Sequence, residues 1–194
     1  MTKAALRTQF LARRQALSDD VVAARSRVLC DRLFASFDFS FHKFVHTFLP
    51  MEQRNEPDTW LVMDRWRREF PHLRIVLPKM QADGALVHVE FEGLHQLKRN
   101  AWGIPEPAQG TELAPAKLDF VLVPLLAADR HGNRLGYGKG FYDRFLSAVN
   151  PACKKVGYSL LDLCTDELPH DAWDVPLTHV VCTIETFTIP ALPE

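Results

Sequence analysis

Residues 121–146 read VLVPLLAADRHGNRLGYGKGFYDRFL. The apolar run at its start, broken only by Pro124, has the length and texture of a strand buried on both faces. A polar loop follows, then glycines at 136, 138 and 140, then apolar positions at helical spacing from near Tyr142. A buried strand that passes through a tight turn into a helix is one half of a parallel β-α-β unit.

Outward from this segment the same alternation continues. Short β-branched or aromatic runs at 43–49, 73–77, 86–91, 118–123, 154–158 and 179–184 are separated by helical patterns. Ala5, Leu6, Phe10, Leu11 and Leu17 give a first helix with basic residues on its remaining face; Ser18 is placed to cap a second that ends near Ser36, with Asp19 and Asp20 in its first turn, where carboxylates suit the helix dipole. Glu56-Pro57-Asp58-Thr59 opens a third through Trp60 and Trp66, and 140–149 forms a shorter fourth. The expected fold is α/β, a three-layer α/β/α arrangement around a mostly parallel mixed sheet, with residues 1–194 forming one domain. The stretch 100–117, with three prolines and two glycines, reads as an ordered surface loop.

The chain has 194 residues, 47% of them hydrophobic, and its 23 basic and 24 acidic side chains leave a net charge of −1. That length buries a sizeable core without staples. The four cysteines form no CxxC pair, so buried thiols in a reducing, cytoplasmic setting are expected. Near-neutral charge removes the long-range pull expected of a nucleic-acid binder, and the longest apolar run falls well short of the ~20 residues of a membrane span. Neither partner is expected, and the protein is expected to act as a monomer. Lys3, Arg7, Arg13 and Arg14 with no acid before Asp19 superficially suit a transit peptide, but Asp19 and Asp20 interrupt that pattern.

Ligands of open α/β sheets bind beyond the carboxyl ends of the strands. Glycines at 136, 138 and 140 let successive main-chain N–H groups converge on an anion, the helix start adds positive potential, and Arg134 and Lys139 add full charges. This describes a phosphate cradle. The spacing matches neither a P-loop nor a dinucleotide fingerprint, and a bare glycine-rich turn is equally a tight strand-to-helix connection.

The strings RLGYGKGFYDRFL and VLVPLLAAD are similar to those of the 5-formyltetrahydrofolate cyclo-ligase family, also called 5,10-methenyltetrahydrofolate synthetases. The resemblance extends to Lys3-x-x-x-Arg7, LPMEQRNEPDTW, WGIPEP and HDAWDVPL, in order over nearly the whole chain. It implies a ligase that uses ATP and magnesium (Mg2+) to convert a reduced folate, 5-formyltetrahydrofolate, to 5,10-methenyltetrahydrofolate. It also implies roles for residues. Lys3 and Arg7, which share a helix face, would grip the polyphosphate with Arg134, Gly136, Tyr137, Gly138, Lys139, Gly140, Phe141 and Tyr142. Lys139 would stabilise charge on the transferred phosphoryl group, with Arg134 and Tyr142 beside it. Asp143 and Asp174 would hold the metal, and Met51, Glu56, Trp102 and Tyr142 the folate.

Each of these residues has a plainer reading. Lys3 and Arg7 alone are a solvated basic stripe, Asp143 a helix-start acid, Asp174 a turn residue, Glu56 a first-turn acid and Trp102 loop packing. The family's AFD segment reads Ala127-Ala128-Asp129 here, so the lost aromatic either enlarges the folate pocket or is refilled nearby. Asp129 orients the loop or coordinates through water. His42 and His46 have helical spacing but sit at a strand entry, which disfavours a metal site, and His131 and His170 belong to surface loops. Two other function classes fit the glycine turn: a non-catalytic nucleotide-binding module of the same family, and a phosphosugar isomerase or transferase of similar layered fold.

Overall fold

In a computed structural model the described residues are 1–100, 103–164 and 166–190. Two helices open the chain, α1 (Lys3–Gln15) and α2 (Asp19–Ser36), followed by β1 (Phe44–His46), α3 (Trp60–Glu69) and the antiparallel pair β2 (Arg74–Met80) and β3 (Leu86–Glu90). A small hairpin, β4 (Leu97–Arg99) and β5 (Pro105–Pro107), precedes β6 (Phe120–Pro124). A second hairpin, β7 (Ala127–Ala128) and β8 (Arg134–Leu135), leads into α4 (Phe141–Leu146), and the chain finishes through β9 (Lys154–Tyr158), β10 (His179–Val181) and β11 (Thr186–Thr188).

Seven strands form one sheet in the order β11-β10-β9-β6-β1-β2-β3, in which β10, β9, β6, β1 and β2 run parallel and the two edge strands are antiparallel. The α/β class and the mixed, mostly parallel sheet are as expected. Alternate residues of each strand point to opposite faces. Val45, Ile75, Phe120, Leu122 and Val156 pack with Leu29 and Leu33 of α2 and Val62, Met63 and Trp66 of α3. Val76, Val121, Val123 and Val180 pack on the other face with Phe145 and Leu146 of α4. Cys30, Cys153 and Cys182 are buried thiols. Among the described residues no helix is long and apolar enough to cross a membrane.

Several local expectations shift. Ser18 occupies the N-cap of α2 without a side-chain capping bond. The third helix starts at Trp60 rather than at Pro57, because Asp58 accepts from the Trp60 N–H at 3.0 Å while Glu56 is drawn into bonds elsewhere. The fourth ends at Leu146, where the Ala148 N–H bonds to the Phe145 carbonyl and tightens the turn. The 100–117 loop contains β5 and a 3-10 turn at Pro115–Lys117.

Packing of α1 positions the site. Phe10 is buried against Leu126, Ala127, Leu135, Leu161 and Leu168. Lys3, Arg7 and Arg14 are four and eleven residues apart, about one and three turns, so they form one stripe beside that apolar face. Arg7 Nε donates to the Gly136 carbonyl at 3.0 Å. Arg14 is only 2% exposed and donates to the Arg54 carbonyl at 2.8 Å, the Leu125 carbonyl at 2.9 Å and the Tyr137 hydroxyl. Gly138 has φ +85°, and a Cβ there would lie 3.0 Å from Arg7 Cζ. Gly138→Ala should therefore lower stability by about 1–2 kcal/mol through left-handed strain alone, with a further loss from the displaced guanidinium. Urea melts of Arg7→Ala, Gly138→Ala and the double variant should show coupling, and strictly additive losses would refute the contact.

Behind the sheet's second face, His46 of β1 and His88 of β3 meet with their Nε2 and Nδ1 atoms 3.2 Å apart, and the His88 ring stacks on Phe145. Both imidazoles are buried. Burial pushes His88 down to about 4, and burial together with the neighbouring His88 holds His46 well below the ordinary value. The unfolded chain binds more protons than the folded one between about 4 and 6.5, so stability rises with pH across that window and is lost as pH falls. Wild-type protein should lose on the order of 3 kcal/mol through His88 between pH 6.5 and 4, and His88→Phe should flatten that slope in pH-dependent urea melts. An unchanged slope would show that the imidazole does not titrate there.

Candidate functional site

The chain leaves β1 through α3 to reach β2 on one side, and leaves β6 through α4 to reach β9 on the other. A crevice therefore opens beyond the carboxyl ends of β1 and β6, at the point where the winding reverses, and this is where open α/β sheets hold ligands. The segments that follow these two strands, 47–56 and 124–142, line a cavity of about 790 Å³. Helix α1 and the 171–174 turn close one end, and β2, the start of β3 and the 104–106 segment form the other.

One end is charged. Along residues 136–140 the chain bends through Gly138 and Gly140, both at positive φ, and no hydrogen bond within the described residues takes up the main-chain N–H groups of 137–140. Arg7 and the exposed Lys139 flank the bend. Arg134, its side chain almost fully buried, pairs with Asp143 and donates to the Val175 carbonyl, while the Val175 N–H reaches Asp143 Oδ1 at 3.3 Å. Lys3 Nζ lies between Asp171 at 2.5 Å and Asp174 at 2.6 Å. Burial opposes charge on both partners, but these hydrogen bonds outweigh it: Lys3 is held above its ordinary pKa and Asp174 below. Gly140 caps α4 without a side-chain bond, and that helix is only six residues long. Positive potential at this end therefore comes mainly from side chains and the free amides, and less from the helix start than the sequence implied.

The other end is apolar, walled by Phe48, Leu49, Met51, Pro78, Met80, Leu86 and Ile104. Between the two ends lie Glu56, Tyr137 and Tyr142. The Tyr137 hydroxyl donates to Glu56 Oε1 at 2.5 Å, and the Met51 N–H donates to Oε2 at 2.9 Å. Burial raises Glu56 above the usual carboxylate range, against the pull of Tyr137 and the Met51 amide. The Tyr142 hydroxyl is buried with no hydrogen-bond partner among the described residues, and burial, with Glu56 nearby, raises its pKa.

Every described residue to which the resemblance gives a ligand or catalytic role lines this one cavity: Lys3, Arg7, Met51, Glu56, Arg134, Gly136, Tyr137, Gly138, Lys139, Gly140, Phe141, Tyr142, Asp143 and Asp174. Trp102 lies outside the described residues. Lys3 and Arg7 are no solvated stripe, and Asp143 and Asp174 are each tied to a cation. The Ala127-Ala128-Asp129 departure does not enlarge the pocket: Ala128 is packed with Phe145 in the core and does not line the cavity. Asp129 orients its loop, accepting from the N–H groups of His131, Asn133 and Leu168 and from the Asn133 amide.

Sequence reasoning missed Arg14, Asp171 and Trp173. Arg14 carried a signal in its seven-residue spacing from Arg7, which continues the helix face. Asp171 and Trp173 sit within HDAWDVPL, but their roles depend on a turn that local sequence does not display.

The model of the family described as 5-formyltetrahydrofolate cyclo-ligase matches residues 1–183. The 5-formyltetrahydrofolate cyclo-ligase of Escherichia coli (strain K12) is 34% identical over 113 residues, covering 56% of this chain and 62% of that protein, so the match spans less than two thirds of the relative's length. The protein of the same name from Mus musculus is 27% identical over an alignment of 199 positions, 92% of each chain. The solution structure of Aquifex aeolicus 5,10-methenyltetrahydrofolate synthetase superposes with a TM-score of 0.84 at 30% identity, covering 100% of this chain and 96% of that one. With the family model matched over nearly its whole length and the solved synthetase superposing across the entire fold, the chain belongs to the 5-formyltetrahydrofolate cyclo-ligase family.

Proposed function

We propose that the protein catalyses the ATP-dependent cyclisation of 5-formyltetrahydrofolate to 5,10-methenyltetrahydrofolate with release of ADP and phosphate. The observation that carries this reading is one cavity in which a bend of unbonded main-chain amides, flanked by Arg7, Arg134 and Lys139, faces an apolar slot across Tyr142. A polyphosphate and a flat aromatic substrate are the two ligands such ends suit.

The chemistry explains why both must meet. A formyl group on nitrogen is a poor electrophile because nitrogen donates into its carbonyl. Transfer of the γ-phosphoryl group to the formyl oxygen gives an activated imidate phosphate, N10 attacks the carbon, the ring closes and phosphate departs. The protein's part is positioning, charge neutralisation and water exclusion. Free amides of 137–140 and the guanidinium of Arg7 receive the phosphate oxygens, Lys139 meets the charge that develops in transfer, and Arg134 steadies the turn through Asp143. Met51 and the apolar wall take the folate ring system. Glu56, with both oxygens already bonded within the protein, holds Tyr137 and the Met51 main chain at the floor of the slot.

Magnesium is carried over from the family resemblance: Asp143 and Asp174 both line the charged end of the cavity, each now paired with a cation, Arg134 and Lys3, and among the described residues no cluster of three metal-ligating side chains is present, so phosphate oxygens and water would complete the shell. Asp143 and Asp174 would hold the ion, whose charge neutralises phosphate oxygens when bound. The same reading takes residues 1–194 as one domain, supported by a sheet that draws strands from both halves of the chain, and the protein as a cytoplasmic monomer with no nucleic-acid partner.

Formation of methenyltetrahydrofolate by purified protein, with and without ATP and magnesium, tests the proposal. Nucleotide binding without turnover would place the chain among non-catalytic modules, and sugar-phosphate conversion without ATP would make it an isomerase or transferase. Lys139→Ala should lower turnover by about a hundredfold or more while leaving the melting profile intact, since Lys139 is exposed; unimpaired turnover in a folded variant would reject its role. Asp143→Asn should weaken magnesium-dependent ATP binding more than folate binding in equilibrium titrations, and the reverse order would remove Asp143 from the metal site. That variant should also melt earlier, because it leaves the buried Arg134 guanidinium without a charged partner.

A further inference from the structure

Among the described residues seven large apolar side chains are exposed, and of these only Trp173 lines the cavity of the candidate site. It is 73% exposed, and its mount is rigid. The Asp174 N–H donates to the Asp171 carbonyl at 3.0 Å, and the Asp171 N–H donates to Asp174 Oδ2 at 2.9 Å. Lys3 then clamps both carboxylates from α1. Trp173 is the third residue of this four-residue turn, so the main chain beneath it is pinned at both ends while the indole stays in solvent at the cavity rim.

An aromatic side chain has only two side-chain torsions to freeze, so on a pinned main chain it pays little entropy to accept a flat partner. The charged end of the cavity, where Lys3, Arg7 and the unbonded amides lie, is adjacent. Among the described residues the apolar wall at the far end offers a second extended surface for a flat ligand, and the proposed folate takes it. A nucleotide whose phosphates rest on the amides therefore has its base to place beside the 171–174 turn. We propose that Trp173 is the platform on which the base of the bound nucleotide stacks, so that this turn both anchors Lys3 and selects a nucleotide over a bare polyphosphate. The inference rests on the reading of this end of the cavity as a nucleotide site, and goes beyond it in naming what holds the base. The indole face offers area and polarisability to any purine, with no hydrogen-bonding edge to read.

Calorimetric titration of the full chain with ATP and with inorganic tripolyphosphate, each with magnesium, tests it in wild type, Trp173→Ala and Trp173→Phe. Loss of the indole should weaken ATP binding by about five- to a hundredfold, the range for one base–aromatic stack, leave tripolyphosphate binding unchanged, and be largely restored by phenylalanine. Equal weakening of both ligands in Trp173→Ala would show that the residue acts only through the turn and Lys3, and unchanged ATP binding would show that the base lies elsewhere; either result overturns the platform. Wild-type protein that binds neither ligand would overturn the nucleotide site itself.

Discussion

Three cations on one face of the first helix hold this molecule's working end together. Lys3 reaches two carboxylates of the 171–174 turn, Arg7 a carbonyl of the glycine bend, and Arg14 two carbonyls and a tyrosine hydroxyl in the segments that follow β1 and β6. A guanidinium as buried as Arg14 is tolerated only when its donors are satisfied, because an unpaired buried charge is expensive by several kcal/mol. The stripe therefore has one acceptable docking geometry. Once Phe10 and its neighbours bury the adjacent apolar face, the helix has no freedom to slide, and the crevice acquires a fixed wall.

That wall gives the crevice its polarity. Winding of the sheet decides where the opening lies, but the strands contribute almost no charge to it. Charge comes from α1, from the loop after β6 and from the 171–174 turn, while β2, β3 and the segment after β1 supply apolar surface. Tyr142 sits where these contributions meet, carried on α4 and backed by Phe145 and the buried His46–His88 pair. A site with separate charged and apolar ends thus follows from which elements the topology leaves at each side of the switch point.

Much of this was readable before any coordinates. The six sheet strands foreseen from alternation are all present, and the glycine bend stood out because positive-φ positions concentrate where a strand must turn sharply into a helix. What stayed hidden was partnership. Glu56 read as a folate ligand or a helix acid, but the hydroxyl that bonds it belongs to Tyr137, 81 positions away. Asp143 read as a metal ligand or a cap, and nothing in its neighbourhood announces that Arg134 spends its charge on it. Ala128 read as a possible gap in the pocket, whereas the β7–β8 hairpin buries it in the core with Phe145 of α4. Period and turn chemistry are local properties of a chain, while pairing across a fold is not.

The same distance argument says when the site exists. Lys3 meets Asp171 and Asp174 across 168 and 171 residues of sequence, Arg14 meets Leu125 across 111, and Arg134 meets Val175 across 41. None of these contacts can form early without closing a long loop, and loop closure is repaid only when the packed sheet already brings the ends together. The apolar slot depends on strands that pair locally and forms with the sheet. The charged end depends on the first helix returning to a turn near the other end of the chain. The wall that the first helix gives the anion-binding surface accordingly waits on the packed sheet, whereas the amide bend at 137–140 is local to the turn that leads into α4.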